Sequence, residues 1–149
     1  MDIRYAKRSE DTEQIRLIQW AARAQKEYQP LKWLHHIPNG GSRNKAEAVK
    51  LKQMGVKAGV ADLCLPYPSG CYHGLYIEMK YENNVPTKDQ IEFLETMQQN
   101  DYFVCICYST EAAQEIILKY LALDKNNLMS TTVMNSNTKR NKQGILVVK

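Results

Sequence analysis

Two short segments of the sequence carry acidic and basic residues at spacings that suit metal-assisted hydrolysis. Glu78 and Lys80 are two residues apart in GLYIEMKY, and Asp62 lies in GVADLCLP. Residues two apart on a β-strand point to the same face, so Glu78 and Lys80 would lie side by side. Mg²⁺ is typically held by one or two carboxylates, with water and phosphate oxygens completing the shell. Asp62 and Glu78 on adjacent strands would supply those carboxylates. Lys80 would stabilise an attacking hydroxide and the charge that develops on phosphorus, or would surrender a proton if its pKa is lowered.

The same residues also have a plainer interpretation. Glu78 and Lys80 would then form a solvated strand face with an ordinary ion pair, contributing about 0 to 1 kcal/mol. Asp62, three residues after Gly59, would be a turn residue. The elements that position these side chains decide between the two interpretations.

The segment around the acidic and basic residues predicts a β-hairpin. Strands are expected at residues 60–66 and 73–80, joined by a Pro-Ser-Gly turn. Leu75, Ile77 and Met79 would point to one face and the charged pair to the other. A further short strand is expected at the LHHIP segment, where alternation lets at most one of the two histidines approach the site, so neither is interpreted as a metal ligand.

Helices are predicted on either side of this hairpin. Ser9 should cap a first helix in which Glu13 heads an inward apolar stripe, and Glu10, one turn earlier, is the alternative acid. Asn44 should cap a second helix that ends near Met54. Thr87 should cap a third, with Gln90 in a capping box. The apolar run YFVCICYS predicts a central strand, and a last helix follows Ser109.

Length and composition predict one domain over residues 1–123, followed by a polar tail. The chain has 149 residues, 44% of them hydrophobic, and residues 124–149 are rich in Asn, Ser and Thr. We expect the tail to be mobile, although its closing ILVVK could form a short terminal strand. The start has no apolar signal region, and no segment is long enough to span a bilayer, so we expect a cytoplasmic protein without a membrane partner.

The charge and cysteine content are compatible with a nucleic-acid partner but do not define one. The net charge is +4, a mild basic excess. The four cysteines include no Cys-x-x-Cys pair, which argues against a zinc site, and Cys105 and Cys107 are expected to be buried free thiols.

Five ordered motifs make the chain similar to a known family. NGG, GVADLCLP, GLYIEMK, PTKDQIEFL and YFVCICYSTEAAQEIILKYL closely resemble the VRR-NUC family, virus-type replication and repair nucleases of the PD-(D/E)xK superfamily, over about residues 10–122. The resemblance implies an α/β fold with an αβββαβ core, in which a central mixed sheet is flanked by helices. It also implies cleavage of DNA phosphodiester bonds with Mg²⁺ or Mn²⁺, in host cytoplasm if the protein is viral.

The resemblance also implies site residues. Asp62, Glu78 and Lys80 match the catalytic D…ExK motif, although the family often has proline where this chain has Ala61. The implied catalytic set further includes Glu13 and Gln90, and the implied metal ligands are Asp62, Glu78, Glu13 and the backbone carbonyl of Met79. Capping alone would equally explain Gln90.

The glycine turn and nearby basic residues are candidates for DNA contact, because backbone N–H groups and cations bind phosphate. The expected contacts are Asn39, Gly40, Gly41, Arg43, Lys45 and Lys88. The resemblance implies a homodimer acting on branched DNA, like a Holliday-junction resolvase. The alternatives are a nuclease for flaps, nicked duplex or RNA, and a DNA-binding module that does not cut.

Overall fold

A six-stranded mixed sheet lies at the centre of the protein. The computed structural model describes residues 6–39, 44–125 and 138–149. The strands follow the order β1-β2-β3-β4-β6-β5, with β1 to β3 antiparallel, β4 parallel to both β3 and β6, and β5 antiparallel to β6. They are β1 (His35–His36), β2 (Leu63–Leu65), β3 (Leu75–Met79), β4 (Phe103–Cys107), β5 (Thr138–Arg140) and β6 (Leu146–Val148).

Helices cover the sheet, and their starts confirm the predicted N-caps. They are α1 (Glu10–Ala24), a 3₁₀ helix (Gln29–Trp33), α2 (Lys45–Gln53), α3 (Lys88–Gln99) and α4 (Thr110–Leu121). The caps are Ser9, Asn44, Thr87 and Ser109, and each side chain accepts a bond from a backbone N–H in the first turn. Within the described residues, no helix has the length and apolar character needed to cross a bilayer.

The core lies on both faces of the sheet. Leu75, Ile77 and Met79 belong to the larger apolar cluster, together with residues of α1 and α4. Val104 and Ile106 belong to the other, together with residues of α3 and the segment around β6. All residues of β4 are buried, as expected for a central strand. Cys105 and Cys107 are buried free thiols, as predicted.

The hairpin strands are shorter than predicted, and this affects the site. Observed β2 and β3 span residues 63–65 and 75–79, so Asp62 lies just before one strand and Lys80 just after the other. The Asp62 carboxylate accepts a bond from the backbone N–H of Met79 at 2.8 Å. The Asp62 side chain therefore accepts a bond from a backbone N–H that would donate to a backbone carbonyl oxygen if the pairing of β2 and β3 were longer.

The predicted tail requires correction for residues 138–149, which belong to the sheet. The short terminal strand anticipated for ILVVK is β6, and it pairs in parallel with β4. Residues 145–148 are buried, because they cover an edge that β4 would otherwise leave open. Residues 126–137, also included in the predicted tail, lie outside the described residues.

Candidate active site

Asp62 and Glu78 are brought together by the pairing of β2 and β3. Leu63 pairs with Ile77, and continuing this antiparallel register by one residue places Asp62 opposite Glu78. The Asp62 backbone carbonyl accepts a bond from the Ile37 N–H at 2.8 Å, and the His36 Nδ1 lies 2.8 Å from the same oxygen. Three strands therefore fix the position of Asp62.

Glu78 is a fully buried carboxylate whose only described close cation is Lys80. The Lys80 Nζ lies 2.8 Å from Oε1 of Glu78, whereas Oε2 has no hydrogen-bond donor among the described residues. Lys80 is itself 6% exposed, and its backbone N–H donates to Cys107. Buried polar atoms are rarely left without a partner, so Glu78 is arranged for a ligand.

The electrostatics of the cluster favour a bound cation. Burial raises the pKa of Glu78 to about 7, and the nearby charge of Asp62 adds to this effect. Burial also raises the pKa of Asp62, although the Met79 N–H and Lys80 oppose the shift. Burial would lower the pKa of Lys80, but Glu78 and Glu10 more than offset it, and the pKa is raised. The Lys80 ammonium is therefore the shared cation of three carboxylates, those of Asp62, Glu78 and Glu10.

The structure places Glu10, and not Glu13, beside this cluster. The Glu10 Oε1 lies 3.7 Å from the Lys80 Nζ, whereas Glu13 accepts bonds from the Thr110 N–H at 2.8 Å, the Thr110 hydroxyl at 2.9 Å and Arg8 at 2.7 Å. Burial would raise the pKa of Glu13, but these bonds lower it. The preference for Glu13 rested on its inward stripe, and that stripe directs the carboxylate to the start of α4.

Gln90 and Thr87 form the capping box that the sequence allowed. The Gln90 Oε1 accepts a bond from the Thr87 N–H at 2.8 Å, and the Thr87 hydroxyl accepts one from the Gln90 N–H at 3.3 Å. These bonds use the side-chain oxygen of Gln90 at the first turn of α3. Capping therefore accounts for the position of Gln90, and its catalytic role stays a prediction.

The predicted DNA contacts are only partly within the described residues. The Asn39 side chain donates a hydrogen bond to the Val60 carbonyl, which ties the end of the β1 segment to the approach to β2. Lys45 and Lys88 are exposed and begin α2 and α3. Gly40, Gly41 and Arg43 lie outside the described residues.

Tyr108, which the sequence did not single out, also lies in the electrostatic field of the cluster. Its hydroxyl donates to the Asn84 carbonyl at 2.7 Å, and the Lys149 Nζ lies 5.0 Å from its ring centroid. Burial raises the pKa of Tyr108, and the charges of Lys80 and Glu10 also act on it. The sequence signal that could have identified Tyr108 is its position directly after β4, the strand that pairs in parallel with the Glu78-bearing strand β3.

The residues present fit a hard divalent cation. Within the described ranges, no group of three or more His, Cys, Asp or Glu side chains has an arrangement that would hold a metal by itself. Two carboxylates and a backbone carbonyl suffice for Mg²⁺ or Mn²⁺, which complete their shells with water and phosphate oxygens. Oε2 of Glu78, which has no donor among the described residues, is one candidate ligand, and Asp62 and the Met79 carbonyl are the others.

The fold and the D…ExK arrangement define the class of protein, a nuclease of the PD-(D/E)xK type. The family model for the VRR-NUC domain matches residues 3–111, which is most of the chain. The protein belongs to the VRR-NUC family. A solved structure described as "VRR_NUC domain protein" is 29% identical, with a TM-score of 0.67 over 80% of this chain and 93% of that chain. The comparison with curated proteins finds no match.

Proposed function

We propose that the protein is a divalent-metal-dependent endonuclease that hydrolyses DNA phosphodiester bonds. The observation that carries this proposal is Glu78, a fully buried carboxylate beside Asp62 that has one oxygen paired with Lys80 and, among the described residues, no hydrogen-bond donor for the other. Asp62, Glu78 and the Met79 carbonyl would hold Mg²⁺ or Mn²⁺. A bound metal of this kind polarises the scissile phosphate and lowers the pKa of a water molecule.

Lys80 has a different task from the metal ligands. Its ammonium lies 2.8 Å from Glu78 and 3.7 Å from Glu10, and two acidic neighbours favour the charged form. A charged Lys80 acts by stabilising negative charge that develops on the phosphate, and it orients the attacking water by donating a hydrogen bond. Of the two roles that the sequence left open, the raised pKa of Lys80 and its two acidic neighbours support this one over surrender of a proton.

The helical acid of the site is Glu10 in this proposal. Its carboxylate is partly exposed and borders Lys80, so it is free to orient the ammonium or to bind a metal-bound water. Glu13 supports the site indirectly, because it joins the segment before α1 to the first residue of α4. Its bonds to Thr110 and Arg8 occupy both carboxylate oxygens.

We further propose branched DNA as the substrate and a homodimer as the active form. The net charge of +4 supports a polyanionic partner, and a twofold dimer would place two sites across a near-symmetric junction. Lys45, Lys88 and Arg43 are proposed to contact phosphates. Light scattering over a concentration series that shows only monomer would remove the two-site argument.

The test of the proposed function is cleavage of a labelled four-way junction beside matched duplex, flap and single strand. Each is incubated with Mg²⁺, Mn²⁺ or EDTA, using wild type, Lys80→Ala and the exposed control Lys125→Ala. We expect paired nicks on the junction only with metal, lost in Lys80→Ala while gel-shift binding persists, and unchanged in the control. Binding without cleavage of any substrate would instead favour a DNA-binding module that does not cut.

A further inference from the structure

A cleft with two exposed aromatic side chains lies beside β1 and β2. It is at the opposite end of these strands from the active site. The side chains of Trp33 and Tyr67 are 63% and 42% exposed, and the Lys32 Nζ lies 5.3 Å from the Trp33 ring centroid. We call this surface the Trp33 cleft, and it is lined by Gln25, Gln29, Pro30, Lys32, Trp33 and Tyr67.

The backbone that presents Trp33 is firmly held. Trp33 ends the 3₁₀ helix, in which Leu31 is 2% exposed, and the next residue, Leu34, is 8% exposed. Pro30 restricts the first turn of this helix. The two buried leucines fix the turn against the core, and Trp33 is directed to solvent between them.

Tyr67 is held in a comparable way. It lies between Pro66 and Pro68, which restrict its backbone, and its carbonyl accepts a bond from the Tyr120 hydroxyl at 2.7 Å. A single exposed aromatic residue is common on protein surfaces. Two of them on rigid supports in one cleft form a preorganised surface, which loses little entropy when a planar ligand binds.

The other residues of the cleft define the chemistry of that ligand. Among the described residues, the lining contains one ammonium, from Lys32, and no carboxylate. Gln25 and Gln29 add amide groups, which both donate and accept hydrogen bonds. Stacking rings, a cation and amides are the elements that bind single-stranded nucleic acid, because bases stack on aromatic side chains while cations contact the phosphates.

We propose that the Trp33 cleft binds unpaired nucleotides of the DNA substrate. The inference rests on the proposed function and specifies its branched substrate, a DNA in which nucleotides at the branch point are unpaired and lie beside the cleavage point. Asp62 precedes β2, and Tyr67 follows its last residue by two positions. Five residues of fully extended chain span about 16 Å, so this is the greatest separation of the two backbone positions, and it corresponds to about five nucleotides at duplex spacing.

The test is binding measured by fluorescence anisotropy in EDTA, so that no cleavage is required. One labelled DNA is a duplex with a short unpaired arm, and the other is fully paired and of the same length. We expect Trp33→Ala to weaken binding of the armed DNA about 5- to 150-fold, as for the loss of one stacked base. Binding of the paired DNA should change much less, and Trp33→Phe should restore most of the affinity.

Two further variants make the test specific. Met54→Ala removes an exposed apolar side chain, 71% exposed, just beyond α2, and it should leave the difference between the two DNAs intact. Lys32→Ala should reduce the slope of log affinity against log salt by about 1 for the armed DNA, as expected for one phosphate contact. Circular dichroism of each variant confirms that the fold is retained.

The inference is wrong if Trp33→Ala binds the armed DNA as tightly as wild type, or loses affinity equally for both DNAs. An equal effect of Met54→Ala would also overturn it. These outcomes are distinct from a failure of the proposed function. That failure would appear as absent cleavage by wild type with metal, whatever the binding preference in EDTA.

Discussion

The buried Glu78 should make the metal-free protein less stable as the pH rises. Its pKa is raised from 4.5 to about 7, so the folded protein binds this proton more tightly than the unfolded chain does. The stabilisation is therefore full below about pH 4.5 and is lost as the pH rises through about 7. The full shift corresponds to about 3 kcal/mol, and about 2 kcal/mol of it falls between pH 5.5 and 8.0.

Glu78→Gln keeps the side-chain volume but cannot ionise, so this part of the pH dependence should disappear. Urea denaturation in EDTA at pH 5.5 and 8.0 measures it. We expect the free energy of unfolding to fall by about 2 kcal/mol more in wild type than in Glu78→Gln. The exposed control Glu92→Gln should behave as wild type. An unchanged pH dependence in Glu78→Gln would refute the argument that burial holds a proton on this carboxylate.

Other predictions concern the metal, the helical acids and the last strand. Calorimetry with Mn²⁺ in buffers of different ionisation enthalpy should show that metal binding releases a proton below about pH 7, since Glu78 must lose its proton to act as a ligand. Asp62→Asn should weaken the binding of Mn²⁺. Glu13→Gln should lower the free energy of unfolding by about 1–3 kcal/mol, because buried hydrogen bonds are lost. Glu10→Gln should instead reduce cleavage with little change in the free energy of unfolding. Equal effects of the two variants in both assays would contradict this. Leu146→Ala should cost about 2–5 kcal/mol in urea denaturation, as for a core position, while Lys142→Ala in the preceding turn should cost almost nothing.

Features that depend on neighbouring residues were predictable from the sequence. Each helix cap uses a side chain that bonds a backbone N–H three residues further along, so a local pattern such as Thr87 with Gln90 contains all the information needed. The hairpin that carries Glu78 and Lys80 has the same local character, because strand alternation places residues two apart on one face. The ordered motifs also defined the family correctly.

Features that depend on distant pairings were not predictable in the same way. The last strand, β6, is an interior strand because it pairs with β4, some forty residues earlier, and nothing near ILVVK specifies that partner. The polar composition of the preceding residues favoured a tail. Composition measures whether a segment can form a core by itself, and β6 instead completes a core built by other elements.

The sequence by itself determined the helix starts, because a cap depends on local hydrogen bonding, and its ordered motifs indicated the family and with it the fold class. The catalytic role of the D…ExK residues stays a prediction. Tertiary structure alone decided which acid of α1 borders Lys80. Glu13 is bonded to Thr110, 97 positions away, whereas the Glu10 carboxylate lies 3.7 Å from the Lys80 Nζ. It also decided that Glu78 is fully buried beside Lys80, since the packing of the whole sheet sets the exposure of a strand residue.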